Sequence, residues 1–495
     1  MSSALRHALP VALALGLSAC TLGPDYQRPE IDIPDEPRVA LAPGQGAALA
    51  DIAWFDLFDD PQLEALIATA LEDNLELRQT LARVLEAGER ARLAGAGPFP
   101  SVFGALNSSP SPGAGSNDTS YSLGLVFGWE LDLFGKLRRS SEAARAELLA
   151  SEEGARAVMV ALVASVTASY FQILEQDRRI AIVERTIRSQ EDSLALVQSL
   201  KSSGVVSAAE EQQAMALLAS SRAQLPALRR NRLIAENGLA QLLGRPPQAL
   251  IPIRSGSALP TLPAFTVDLP VVLLEDRPDL RAAEQRLRAA TARVGAAIAN
   301  RFPFPTIGLS AFGGRFSTSL DDLVSDADDI FSWGPTLSIP LIDFGRTRAA
   351  VGIADAQLIQ ATEAYRSAVL TALRELADAA AGLAASEAII VHNRERVRAS
   401  AEVLRLQRMR FRQGVVAYLE VLDAERELLA AELDLAQADF GRVQRFVELY
   451  RAFGGGADEQ RLAETLNGLK GGTSDPDALR NEEVSPAPTP TPTSS

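Results

Sequence analysis

A strand-to-helix transition that occurs twice constrains this chain more than any other feature. Trp129-Glu130-Leu131-Asp132-Leu133-Phe134-Gly135-Lys136 closes an alternating segment and opens a long helical run. Ile339-Pro340-Leu341-Ile342-Asp343-Phe344-Gly345-Arg346 does the same later in the chain. Gly135 and Gly345 stand 210 positions apart, and so do Gly204 and Gly414. Two landmarks recurring at one spacing identify an internal duplication. One detail departs from it. Asp132 aligns with Ile342, while Asp343 falls one place later, so the two junctions need not share a capping geometry.

After Gly135 the next proline is Pro226, and from Leu341 to Asp475 there is none. Lys136 to about Ser202 therefore reads as one helix, with Val158, Leu162, Val166, Tyr170 and Ile173 on one side. At 1.5 Å per residue it is roughly 100 Å long. Ser202 to Ser207 breaks it, and Ser207 is placed to cap a returning helix from about Ala208 to Leu243. Pro226 predicts a kink or local unwinding there. In the second half the long helix ends at Gln413-Gly414-Val415-Val416, and the return runs to about Ala452. A shorter helix precedes each hairpin. The first spans about Pro61 to Ala94, with Asp60 as its cap; the second spans about Val271 to Asn300.

Strands fall at about Ser101–Ser109, Tyr121–Leu131, Thr306–Phe316 and Ile330–Leu341. In the second, Tyr121, Leu123, Leu125, Phe127 and Trp129 alternate with Ser122, Gly124, Val126, Gly128 and Glu130. Such alternation suits a strand with lipid outside and water inside, and equally a half-buried strand of a soluble sheet. Beyond the N-terminus no long uninterrupted apolar run stands out, so any membrane crossing falls to strands. Four strands leave two unpaired edges, which a bilayer cannot satisfy. Several copies must then close one barrel, with the long helices packed beneath it as a tube of coiled-coil pairs.

The N-terminus supports export. Residues 1–19 combine Arg6 with an apolar core from Ala8 to Leu17, a signal-peptide pattern. Leu17-Ser18-Ala19-Cys20 follows, matching the bacterial lipoprotein signal, and Cys20 is the chain's single cysteine. Two or three acyl chains on Cys20 would anchor the mature end stably. Residues 20–60 read as a proline-rich strap pinned by Trp54-Phe55 and Phe58. Repeat one then covers 61–269, repeat two 270–456, and the tail 457–495 ends in a disordered Ser/Pro/Thr stretch. A net charge of −15 leaves no basic surplus for nucleic acid. With only His7 and His392 beside Cys20, neither a metal cluster nor a nucleophile–base set is available, so no enzyme and no metal are expected.

The chain resembles the TolC-type outer-membrane factor family, in its NodT-like lipoprotein branch. The resemblance is carried by Leu17 to Cys20, Gly23-Pro24-Asp25-Tyr26 with Arg28-Pro29, and Trp54-Phe55 with Asp60-Pro61. Trp129 to Lys136, Arg277-Pro278-Asp279-Leu280-Arg281 and Gly414 through Arg426 complete it. It implies an α+β membrane protein: a homotrimer with one 12-stranded outer-membrane β-barrel on a long periplasmic α-helical barrel. It further implies N-palmitoyl and S-diacylglycerol groups on Cys20, no other cofactor, a periplasmic adaptor protein, and an inner-membrane pump of the resistance-nodulation-division type. The function implied is a passive exit duct for small molecules. Its gate would be built from an apolar ring at Leu419 and an acidic ring at Asp423, tethered by Arg412 and Arg426. Relatives often carry tyrosine just before that first arginine; this chain has Phe411, which removes a hydroxyl tether. Gly204, Val205, Gly414 and Val415 would form adaptor-facing tips. On the residues alone, Asp423 and Arg426 read as a surface pair worth about 0.2–0.5 kcal/mol. The alternatives are protein or metal-ion export through the same duct, or a non-transporting lipoprotein that tethers the envelope layers.

Overall fold

Freedom from proline, and an apolar stripe to bury, give two helices of 67 residues each, α3 (Lys136–Ser202) and α7 (Arg346–Arg412), in the computed structural model. The structure describes residues 21–31, 47–48, 54, 58–110, 119–247, 277–301, 303–339 and 341–455, with 253, 260, 262 and 265–266 in the linker. Signal peptide, Cys20, Phe55 and tail lie outside the described residues. Each long helix turns back into a 35-residue partner, α4 (Ala208–Leu242) or α8 (Tyr418–Ala452). α3 packs on α4 and α7 on α8; α3 also touches α8.

The strands form one antiparallel sheet, in the order β2 (Ser101–Pro110), β3 (Thr119–Leu131), β5 (Thr306–Ser317), β6 (Asp328–Ser338). The two hairpins join through β3 and β5, with Tyr121 opposite Ser317 and Leu131 opposite Ile307. β2 and β6 are therefore edges, each with one neighbour. One face stays bare: Leu125, Phe331, Trp333 and Leu337 are exposed by 60%, 73%, 69% and 63%. The extra residues of the second hairpin hold a four-residue helix, α6 (Asp322–Ser325).

Three expectations need correction. The helix expected over 61–94 is two helices, α1 (Pro61–Asp73) and α2 (Leu75–Ala96), divided at Asn74. Asn74 is buried; its amide donates to the Leu242 carbonyl (2.8 Å) while its Oδ1 accepts from the Leu77 N–H (2.9 Å). That side chain caps one helix and ties the bend to the end of α4, which outweighs continuous helix propensity. Of the kink or local unwinding expected at Pro226, the unwinding does not occur, since α4 continues unbroken through it; Leu217, Leu218 and Leu228 bury either side of it. α5 begins at Pro278 and ends at Ala299, with Arg277 as its N-cap; 267–276 lie outside the described residues. In addition, α3 contains a stretch long and apolar enough to cross a membrane, contrary to the sequence reading, with half of it buried inside the chain. Its Tyr170 and Phe171 meet each other edge-on (5.3 Å), and Phe171 meets Phe58 (5.0 Å), in the main core. Burying each such ring stabilises by roughly 1.5–3 kcal/mol. A two-residue parallel pair, β1 (Ala47–Ala48) with β4 (Phe265–Thr266), joins strap to linker and left no signal in the sequence.

Candidate functional site at the junctions and helical tips

Both long helices start from a left-handed glycine, Gly135 (φ 79°) and Gly345 (φ 85°), neither of which has a side chain to cap the helix. Upstream aspartates supply the missing acceptors in two ways. Asp132 accepts from the N–H groups of Leu137 (3.1 Å) and Arg138 (2.8 Å). Asp343 accepts from Gly345 (3.0 Å) and Thr347 (2.9 Å), plus the Thr347 hydroxyl (2.6 Å). The one-residue shift is absorbed at Phe344, whose φ of 50° puts a bulky residue in the left-handed region. At the first junction Trp129 Nε1 donates to the Pro98 carbonyl (2.9 Å), and Lys136 pairs with Glu130 (2.8 Å).

Among the described residues, the strap covers the first junction. Leu22 N–H donates to the Phe134 carbonyl (3.2 Å), and a Cβ on Gly135 would stand 3.1 Å from Thr21 Cα. Gly23 runs against Gly295 of α5 so closely that a Cβ would fall 2.3 Å from its Cα. Arg139, 6% exposed, donates to Asp25 (2.7 Å) and Glu142 (2.9 Å). Glu284 on α5 is the strap's socket: it accepts from Tyr26 Oη (3.1 Å), Arg28 (2.6 Å) and Arg288 (2.7 Å). Burial alone would raise its pKa, but the hydrogen bonds from Arg28, Arg288 and Tyr26 outweigh that and hold it below the ordinary 4.5. Burial, with the Glu284 charge, pushes Tyr26 up to about 12. Arg277, from the Arg-Pro-Asp motif, is buried and donates to the Ala452 carbonyl (2.9 Å), to Asp279 and to Glu375; it closes the last turn of α8.

The far ends share one backbone. Gly204 (φ 75°) and Gly414 (φ 72°) each end a long helix; a Cβ at either would meet nothing within 4 Å. Val205 N–H donates to the Leu200 carbonyl and Val415 N–H to the Arg410 carbonyl, both at 2.9 Å, a Schellman closure. Val205 and Val415 are 69% and 61% exposed. On α8, Leu419 is 46% exposed, and the Asp423 side chain is 62% exposed and paired with Arg426 at 3.1 Å. Leu419, Asp423 and Arg426 share the outward face; Tyr418, Val421, Leu422 and Glu425 form the buried one. Arg412 is exposed, has no ion pair within the described chain, and lines a cavity of about 430 Å³ with Asp192, Ser193, Arg408, Phe411 and Tyr418. The structure thus brings Asp423 and Arg426 together, and leaves Arg412 apart from them.

Sequence reading missed Glu284 and Glu425. Both sit on otherwise apolar stripes, Leu280–Glu284–Leu287 and Val421–Glu425–Leu429, and a carboxylate at such a position must find buried partners. That interruption was the available signal. Among the described residues no group of His, Cys, Asp and Glu could hold a metal ion.

A bare apolar face on a four-stranded sheet, over helices about 100 Å long, defines an outer-membrane channel protein built to reach across a periplasm. The chain matches the family described as outer membrane efflux protein over residues 66–245 and again over 269–455, and it belongs to that family. It is 36% identical over 467 residues to the outer membrane protein OprJ of Pseudomonas aeruginosa, covering 92% of this chain and 96% of that protein. It is 34% identical to the cation efflux system protein CusC of Escherichia coli K12, over 90% and 99% of the two chains. The outer membrane channel MtrE of Neisseria gonorrhoeae, solved in an open state, superposes with a TM-score of 0.80 at 30% identity, over 89% of this chain and 99% of that one. The chain is therefore an outer-membrane efflux channel, located in the outer membrane.

Proposed function

We propose that three copies of the chain close one 12-stranded barrel, β6 of each pairing with β2 of the next, above a helical duct that carries small molecules out of the cell. The two open edges of the described sheet support closure by neighbouring copies. Acyl groups on Cys20, N-palmitoyl and S-diacylglycerol, anchor the mature N-terminus; their three chains give stable membrane attachment where one is marginal. The duct receives its cargo from an inner-membrane pump of the resistance-nodulation-division type through a periplasmic adaptor, which docks at Gly204, Val205, Gly414 and Val415.

The outward face of α8 carries the gate reading. Leu419 and Asp423, one turn apart at the tip and exposed in the single chain, supply an apolar ring and an acidic ring around the axis. Arg426, with Arg412 reaching across, offsets repulsion among three Asp423 carboxylates. OprJ and the cation-efflux CusC are similarly close to this chain, so overall identity does not separate small organic cargo from metal ions. The residues favour the former, because the chain has one cysteine and two histidines. In planar bilayers the purified protein should show a nearly closed pore. Leu419→Ala with Asp423→Ala should raise its conductance by roughly a hundredfold, the loss of about 3 kcal/mol of closure. A variant that forms no pore at all would defeat the duct reading, and an unchanged one would defeat the gate.

A further inference from the structure

The chain contains one seam between its two repeats, and duplication makes that seam a template for another. α3 corresponds to α7 residue for residue, and α4 to α8, at the spacing of Gly204 and Gly414. The hairpins superimpose as well: Ser101 faces Gly128 in the first, and their equivalents Thr306 and Ser338 face each other in the second. Within the chain, repeat one presents α3, β3 and Phe134, and repeat two receives them with α8, β5 and Phe304. The same shift applied to every partner assigns α7, β6 and Phe344 to the α4, β2 and Phe99 of a following repeat one. In a single chain that second seam is unmade, since β6 and β2 are the two edges of the described sheet.

The residues of the transferred seam match one another. Phe134 and Phe304 lie 5.0 Å apart and are half-buried, whereas Phe344 and Phe99 are 99% and 71% exposed. Leu131 faces Ile307, which transfers to Leu341 opposite Val102, both exposed. On the helices Ser193 Oγ donates to Glu425 (3.1 Å); the equivalents are Val403 and Met215, two exposed apolar side chains. A polar contact is replaced by an apolar one, with both members changed together. Arg185 of α3 pairs with Glu432 of α8 at 2.8 Å. Their equivalents are Glu395 on α7 and Arg222 on α4, the same ion pair with its charges exchanged. Arg222 donates to Glu191 of its own hairpin (2.7 Å) through one Nη, and a guanidinium has further N–H groups for a second carboxylate.

We propose that the seam between copies is this transferred seam, and that the exchanged charges set its order. Phe344 seats against the next copy's Phe99, Val403 against its Met215, and Glu395 pairs with its Arg222. A wrong order is rejected by charge: α3 set against α4 would bring Arg185 to Arg222, and α7 set against α8 would bring Glu395 to Glu432. Repeats one and two must then alternate around the ring. The inference rests on the trimer proposed above and adds which residues meet and why the repeats alternate.

The test uses full-length protein in outer membranes, with the parent chain, whose one cysteine is Cys20, as background. A short bis-maleimide should join Val403→Cys with Met215→Cys, and Leu341→Cys with Val102→Cys, into covalent dimers and trimers on denaturing gels. Co-expressed chains carrying Val403→Cys and Met215→Cys separately should give dimers, which a link within one chain would not. Val403→Cys with Leu233→Cys, about five turns off the transferred register, should stay unlinked. Glu395→Arg should slow the Val403–Met215 link roughly fivefold, an attraction turned into a repulsion at an exposed pair. Adding Arg222→Glu should restore the parent rate, which a purely structural role for either residue would not. If the matched pairs fail, or link no better than the mismatched one, while light scattering shows a trimer, the seam is wrong and the trimer stands. A monomer would overturn the trimer itself. Matched links indifferent to Glu395→Arg would overturn the ordering by charge. Should Glu395→Arg not assemble, the exchange decides: an assembled double variant supports the order, and an unassembled one refutes it.

Discussion

The two helical tips have the same backbone turn and different means of holding it. At the first, Ser207 and Glu210 form a capping box: Glu210 accepts from the Ser207 N–H (2.7 Å) and donates its own N–H to Ser207 Oγ (3.4 Å). Lys201 pairs with Glu211 beside it. At the second, 210 positions on, Ala417 replaces the serine and offers no cap, although Glu420 keeps the glutamate's place. Phe411 and Val421 stand where Lys201 and Glu211 stood, Tyr418 replaces Ala208, and the Phe411 and Tyr418 rings lie 5.1 Å apart. The first tip is held by its own few residues. The second is held by what it packs against, so its conformation answers to its neighbours. Duplication made the parts; substitution at equivalent positions divided the labour between an autonomous turn and a dependent one.

The strongest way to break this contrast is Phe411→Ala. It should cost about 2 kcal/mol, less than the roughly 3–5 kcal/mol of a fully buried ring because Phe411 is half-buried, and speed hydrogen exchange across 408–424 but not across 198–214. Equal acceleration in both tips would refute the distinction.

Alkaline pH sharpens it next. Burial, followed by the Glu425 charge, pushes Tyr418 from 10.0 up to about 12. A raised tyrosine gives stability that is complete below its unfolded value and lost as pH climbs through its folded one. The second tip should therefore loosen between pH 10 and about 12. The thermal midpoint of the native protein should fall over that window by more than in Tyr418→Phe.

The smallest effect comes from exchanging caps. Ser207→Ala should destabilise the first tip by about 1 kcal/mol, and Ala417→Ser should stabilise the second by a similar amount or less. Exchange rates at each tip read both, and Ala417→Ser should also lower spontaneous opening in bilayers.

Much of this architecture is legible from sequence because it is written twice. The limits of both long helices follow from Gly135, Gly204, Gly345 and Gly414, each fixed by the positive φ that only glycine adopts freely. Strand alternation placed all four strands within a few residues. What escaped depends on partners far along the chain. Asn74 divides a helix for the sake of the Leu242 carbonyl, 168 residues away, and Glu284 awaits Arg28, 256 residues before it. Two-residue β1 and β4 are too short for any period to show. The outward residues Leu419, Asp423 and Arg426 came from resemblance. Periodicity alone would have directed attention to the opposite face, where Glu425 interrupts an apolar stripe.

The open edges at β2 and β6 have a consequence for inheritance. In the proposed ring every seam is shared, so a chain with one faulty edge spoils the seam it makes with its neighbour and with it the whole barrel. If half the chains in a cell carried such a defect, about one ring in eight would contain only sound copies. Edge mutations would then behave as dominant, and mutations that block export or assembly altogether would behave as recessive.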